Sequence, residues 1–178
     1  MAMSVSRSVV GVDVAKVEVV VYQTDTDRLL SVSNDKPSLT KWLKTLPANS
    51  SIAIEATNIY HLDTVELAHA MGHAVYVIDG FRLSNYRKGV GGRAKTDASD
   101  ARLLARYLKN EEEELRPWSP PPKVYTKLQS LLRRRATLVQ ARVSLTQSWN
   151  DEPLLKAAFK QQIVAMGRLD LLIQKKLL

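Results

Sequence analysis

Valine dominates the first patterned stretch of the chain. Residues 8–22 read SVVGVDVAKVEVVVY and are broken only at Ala15-Lys16. That spacing predicts two strands joined by a tight turn. A third short strand is expected over Leu29–Ser33, after the polar run Thr24–Asp27. Strands linked this closely pair antiparallel, because a parallel pair needs a long crossover.

The period then lengthens. Lys36–Leu46 predicts a helix, with Pro37 in its first turn and Leu39, Trp42, Leu43 and Leu46 along one face. Ser51–Ala56 follows as a short apolar strand, Ile59–Met71 as a helix stopped by Gly72, and His73–Ile78 as a strand ending at Asp79-Gly80. Alternating strands and helices imply parallel pairing through right-handed crossovers. The expected fold class is therefore α/β: a mixed sheet with an antiparallel hairpin edge, parallel strands beside it, and helices on both faces.

Residues 82–96, basic and glycine-containing, read as a loop or frayed helix. Asp97–Lys109 predicts a helix with Ala101, Leu104, Ala105 and Leu108 inward; the acidic run Glu111–Glu114 and the prolines of Pro117–Pro122 stop it. This pattern divides the chain into a first domain over 1–115, a stiff proline-rich linker over 116–122 and a helical region over 123–178. The helical region holds two long stretches, Lys123–Trp149 and Asp151–Leu178. Leu155, Phe159, Gln162, Met166, Leu169 and Ile173 recur at heptad spacing in the second; Leu128, Leu132, Ala136, Val139 and Val143 form a comparable stripe in the first. With turn and N-cap chemistry at Asn150-Asp151-Glu152-Pro153, an antiparallel helical hairpin or coiled coil is expected, open to pairing with a second copy of the chain. The last segment, DLLIQKKLL, stops in mid-pattern and reads as a chain cut before a further domain.

Composition narrows the function classes. No apolar run approaches the roughly 20 residues that span a bilayer, so no membrane partner is expected. Cysteine is absent, which excludes disulfides and thiolate metal sites and suits a reducing cytoplasm. The three histidines, His61, His69 and His73, lie in or just after one predicted helix and argue against a histidine-rich zinc site. A net charge of +8 favours a polyanionic partner. No acid occurs from Leu115 to Asn150, yet Arg116, Lys123, Lys127, Arg133, Arg134, Arg135 and Arg142 all do. A merely solvated helix face usually mixes both signs to gain i,i+4 pairs.

Two acids stand where acids are penalised. Asp13 interrupts VVGVDV and Glu55 ends SIAIEA, both otherwise apolar. Such a carboxylate costs several kcal/mol unless it is paired, protonated or bound to a cation. A salt bridge to Lys16 is the plain alternative for Asp13. Asp97 and Asp100, three apart at a helix start, share one face, with helix capping as their plain alternative. Taken together, four carboxylates without cysteine and with little histidine point to Mg2+ or Mn2+ and to phosphoryl transfer.

The motifs GVDVAK (11–16), IEAT-x-x-Y (54–60) and KTDASDARLLA (95–105) resemble those of the DEDD transposases of bacterial insertion sequences. That group includes the Piv-type DNA invertases and bridge-RNA-guided recombinases. The resemblance implies a RuvC-like, ribonuclease-H-type first domain in which Asp13, Glu55, Asp97 and Asp100 form a catalytic tetrad binding Mg2+. It also implies DNA as substrate, a structured guide RNA as a further partner, and a serine nucleophile in a domain that follows. Two departures stand out: Asn58 replaces a usual glycine, and Asp79-Gly80 replaces a usual Asn-Pro. Asparagine tolerates positive φ, so the turn at Asn58 is expected to survive. Asp79 reads as a turn residue, with an auxiliary-ligand role as the alternative.

Lys16, Arg87, Lys88, Arg93 and Lys95 flank the carboxylates and would neutralise phosphates, as would Lys127, Arg133, Arg134, Arg135 and Arg142 on the basic helix. Tyr60, Tyr86, Trp118 and Trp149 read as packing residues rather than base contacts. The leading expectation is the N-terminal part of a DNA transposase or site-specific recombinase. A self-sufficient Mg2+-dependent junction-resolving nuclease and a non-catalytic nucleic-acid-binding and dimerisation module remain as alternatives.

Overall fold

The computed structural model describes residues 7–91, 96–149 and 153–177. They fall into two compact units, residues 1–120 and 121–178.

Unit one is built on a five-stranded sheet in the order β3-β2-β1-β4-β5. Strands β1 (Val9–Val14), β2 (Glu18–Gln23) and β3 (Arg28–Ser33) form the expected antiparallel meander. Strands β4 (Ser51–Glu55) and β5 (Ala74–Ile78) run parallel to β1. Side chains alternate across a strand, so each face of β1, β4 and β5 collects its own core. Val10, Val12, Ile52, Ile54 and Val75 pack beneath α1 (Lys36–Leu43) and α2 (Leu62–Ala70), joined by Leu39, Trp42, Leu43 and Val65. Val9, Ala53, Tyr76 and Ile78 take the opposite face with α3 (Gly80–Gly89) and α4 (Asp97–Glu111), which supply Leu83, Leu104, Ala105 and Leu108.

The boundaries depart from the pattern in instructive ways. Of the two readings of 82–96, loop or frayed helix, the helix holds as far as Gly89. Asp79 caps it by accepting from the backbone N–H of Phe81 and Arg82, and Leu83 anchors it in the core. Residues 92–95 lie outside the described residues. Helix α2 starts at Leu62 rather than Ile59 because Asn58 adopts φ 47° and tight turns occupy the next residues, including Tyr60 N–H to the Thr57 carbonyl. Gly72, at φ 85°, ends α2 as expected. Trp118 donates its backbone N–H to the Val75 carbonyl, and its ring meets His69 edge-on at 5.2 Å. It is the hydrophobic anchor the sequence suggested.

Unit two is a helical hairpin of α5 (Lys123–Trp149) and α6 (Lys156–Leu177). The expected turn at Asn150–Glu152 and the Trp149 side chain lie outside the described residues. The packed seam keeps Leu128 and Val139 of the expected α5 stripe and Phe159, Met166 and Ile173 of the α6 stripe, and departs from the rest by one residue. In α5 it passes through Leu128, Leu131, Arg135, Leu138, Val139, Arg142 and Leu145; in α6, through Phe159, Ile163, Met166, Asp170 and Ile173. Leu132, Val143, Leu155 and Leu169, expected inward, are exposed. Two overlapping heptads fit this sequence. The one realised pairs Arg135 Nε with the buried Asp170 carboxylate at 2.7 Å.

Candidate carboxylate site

Strand register brings the first two acids together. Val12 lies opposite Ile54 in the parallel β1–β4 pair, so the next step along each strand sets Asp13 beside Glu55. Both share the face of Gly11 and Ala53, which α4 covers. Gly11 explains how closely: a Cβ there would stand 1.9 Å from the Ala101 carbonyl oxygen and 2.6 Å from the Ala105 nitrogen. The helix backbone lies directly on the strand, and only glycine permits that approach. The first turn of α4, bearing Asp97 and Asp100, precedes this contact and reaches toward Asp13.

The helix start is capped as that alternative expects, with both acids in its first turn, but neither acid makes the cap itself. Thr96 is the N-cap, its side chain accepting from Ser99 N–H, and the Ser99 hydroxyl accepts in return from Thr96 N–H. Asp97 is exposed, whereas Asp100 is buried at 4 % exposure. Asp100 Oδ1 accepts from Arg87 Nη2 at 2.6 Å and from the Ser99 hydroxyl at 3.3 Å. Among the described residues no ion pair joins Asp13 to Lys16, the plain alternative for that acid. Asp13 instead has its carboxyl raised from 3.8 to about 6, first by burial and then by the charges of Asp100, Asp97 and Glu55. A hydrogen bond from the Val14 backbone partly offsets this.

The four acids from β1, β4 and α4 therefore share one electrostatic neighbourhood. Among the described residues no three of them stand in a metal-holding set. Like charges resist closer approach, and Arg87 holds Asp100. In kind, the donors fit a hard divalent cation: all are carboxylate oxygens, and a cation would relieve the repulsion that raises Asp13.

The basic groups divide by what they already touch. Lys16 is exposed on the β1–β2 turn and lines a recess of about 350 Å³ with Asn34, Ile59, Tyr60, Leu62 and Asp63. Asn34 braces this corner, donating to the carbonyls of Ala15 and Tyr60 at 2.8 and 3.2 Å. Lys88 is exposed, while Arg93 and Lys95 lie outside the described residues. On α5, Lys127, Arg133 and Arg134 face solvent, Arg135 is bonded to Asp170, and Arg142 is half-buried in the seam. Tyr60 packs against the core and Tyr86 against Tyr107, as packing residues should. Asp79 is an exposed cap.

Gly11, Gly80 and Asn34 received no role of their own from the sequence, although Gly80 stood out as a departure from the family pattern. A glycine inside an apolar strand signals close backbone approach, and that signal was available at Gly11. Asn34 gave none.

Residues 10–159 match the family of DEDD transposases of the IS110 type. The pilin gene-inverting proteins of Moraxella lacunata and Moraxella bovis are each 31% identical over 138 residues, covering 73% of this chain and 42% of the relative. The chain thus spans about two-fifths of the length of these relatives. Its mixed sheet agrees with the RuvC-like fold of that family. The chain belongs to the family of IS110-type DEDD transposases.

Proposed function

We propose that this chain supplies the carboxylate centre of a DNA transposase or site-specific recombinase, with Asp13, Glu55, Asp97 and Asp100 holding Mg2+ or Mn2+. The observation that carries this is the convergence of β1, β4 and the first turn of α4, which sets Asp13 beside Glu55 under Asp97 and Asp100; the raised Asp13 carboxyl agrees with it. Acids kept together at such cost serve a cation better than they serve the fold. A bound divalent ion supplies charge stabilisation at the attacking and leaving oxygens of a phosphodiester. The chain's own groups do the positioning: Lys16 and Lys88 present free charge for DNA phosphates, and Arg93 and Lys95 belong to the same basic stretch. The strand nucleophile is a serine of a further domain, for which the greater length of the relatives leaves room. The exposed face of α5, with Lys127, Arg133 and Arg134, suits a nucleic-acid backbone, including a structured guide RNA. Arg135 and Arg142 are less available to it. The exposed Leu132, Val143 and Leu169 support self-association through the helical hairpin as a coiled coil. The proline-rich segment 116–122 divides the two functions, and the bacterial cytoplasm is the proposed location.

The test is Mn2+ binding and plasmid cleavage by the whole chain. We expect Mn2+ binding that Asp13→Asn and Glu55→Gln each weaken tenfold or more, with no strand cleavage by the chain alone. Mg2+-dependent cutting lost in Asp13→Ala would replace the recombinase reading with the junction-resolving nuclease. Tight nucleic-acid binding with no carboxylate-dependent Mn2+ binding would leave a non-catalytic module.

A further inference from the structure

Helix α3 has a glycine at its first position and an ion-paired arginine seven residues later. Neither is explained by the helix itself. Gly80 is not among the positive-φ glycines, so its backbone does not require glycine, and alanine would be the better helix former. What a side chain there would meet is Glu55: a Cβ on residue 80 would stand 2.7 Å from Glu55 Oε1 and 3.8 Å from its Cδ, so the carboxylate would have to move. At the other end of the same helix, a Cβ on Gly89 would meet nothing within 4 Å.

Arg87 is equally specific. Its helix is fixed to α4 by the Tyr86 ring, set edge-on to Tyr107 at 4.9 Å, and by Asn110, which donates to the Tyr86 hydroxyl at 2.7 Å. Buried Leu83 completes the anchorage. From this base the Arg87 guanidinium reaches Asp100 Oδ1 at 2.6 Å, with only a fifth of its side chain exposed. The Ser99 hydroxyl, whose shorter bond is to the Thr96 carbonyl at 2.8 Å, lies 3.3 Å from the same oxygen. Among the described residues both contacts fall on Oδ1.

We propose that α3 is a brace that positions two of the four carboxylates: Gly80 leaves the space in which Glu55 lies, and Arg87 holds Asp100 two turns further along. The two contacts are separated by about 10 Å of rigid helix, so one element sets where both acids stand. Arg87 is then a positioning residue of the site rather than a grip on DNA phosphate. This rests on the proposed reading of the four acids as a cation site.

The experiment measures Mn2+ binding to the whole chain, by the paramagnetic signal of free Mn2+, together with thermal unfolding. Gly80→Ala is expected to weaken Mn2+ binding about 10- to 100-fold, the usual effect of disturbing a ligand's support, while leaving the unfolding temperature unchanged or slightly raised. Gly89→Ala binds Mn2+ like the parent. Arg87→Gln loses a similar factor, and Arg87→Lys, which keeps a donor and the charge, recovers part of it. Gly80→Ala at parental affinity would show the space beside Glu55 to be idle. Arg87→Gln binding as tightly as the parent, or tighter, would show that the guanidinium competes with the cation instead of setting its ligand. If Asp13→Asn leaves the parent's Mn2+ binding untouched, the cation site fails and the brace with it, a result distinct from failure of the α3 variants alone.

Discussion

Asp13 interrupts a strand whose other residues are buried, and the protein bears a cost for it. The unfolded carboxyl ionises near its ordinary 3.8, the folded one near 6. Between these values the folded chain binds the extra proton, so the Asp13 contribution to stability falls as pH rises from about 4 to about 6 and stays low above it. Asp13→Asn should therefore stabilise the chain by about 1–2 kcal/mol at pH 7.5 in chelator, after allowing for solvent around a half-buried group, and make no difference near pH 3.5. Urea unfolding at the two pH values checks this; equal midpoints at pH 7.5 would remove the electrostatic argument for the cluster. Asp13 and Glu55 were legible in sequence because each breaks an apolar strand. The role of Arg87 was not, since nothing in the sequence says which acid an arginine thirteen residues upstream will meet. Gly80 was visible as a departure from the family pattern, but its purpose appears only when the Glu55 carboxylate is placed against it.

At the level of elements, the site depends on how closely α4 lies on β1. Gly11→Ala would drive a methyl into the Ala101 carbonyl, a backbone atom that cannot step aside. The expected loss is at least about 3 kcal/mol, measured by chemical denaturation, because helix and strand must separate to admit it. Gly80→Ala differs because the atom it meets is the end of a flexible side chain. The sheet was legible because short apolar, valine-rich runs and the turn residues between them agree over β1 to β5. Helix α3 was not, because its interior holds few apolar residues and both ends are glycine. The hairpin seam was legible only in part, at Leu128, Val139, Phe159, Met166 and Ile173, because leucine spacing alone supports two registers. The bond from Arg135 to the buried Asp170 distinguishes them. Asp170→Ala should cost about 2 kcal/mol in unfolding by leaving Arg135 unmatched, less than a fully buried pair would lose because Arg135 is partly exposed. Replacing both residues by leucine should restore most of it.

Across the whole molecule, net charge of +8 does not say where a polyanion would lie. The structure separates cations that are already spent from those that are free. Arg87 and Arg135 have carboxylate partners, whereas Lys127, Arg133 and Arg134 are exposed on α5. Counterion release makes this difference measurable, since each phosphate contact on duplex DNA adds about 0.9 to the slope of log affinity against log salt, and about 0.7 on a single strand. Lys127→Gln, Arg133→Gln and Arg134→Gln should each lower that slope by close to one contact and weaken binding about equally for all sequences. Arg135→Gln should leave the slope unchanged while lowering the unfolding midpoint. Measured on RNA and DNA of equal length, the same variants show which polymer α5 grips, because only the true ligand loses a full contact's worth of slope with each neutralised side chain. Should Arg135→Gln lower the slope as much as Arg133→Gln, the pair with Asp170 opens when nucleic acid binds, and the hairpin seam becomes part of the interface.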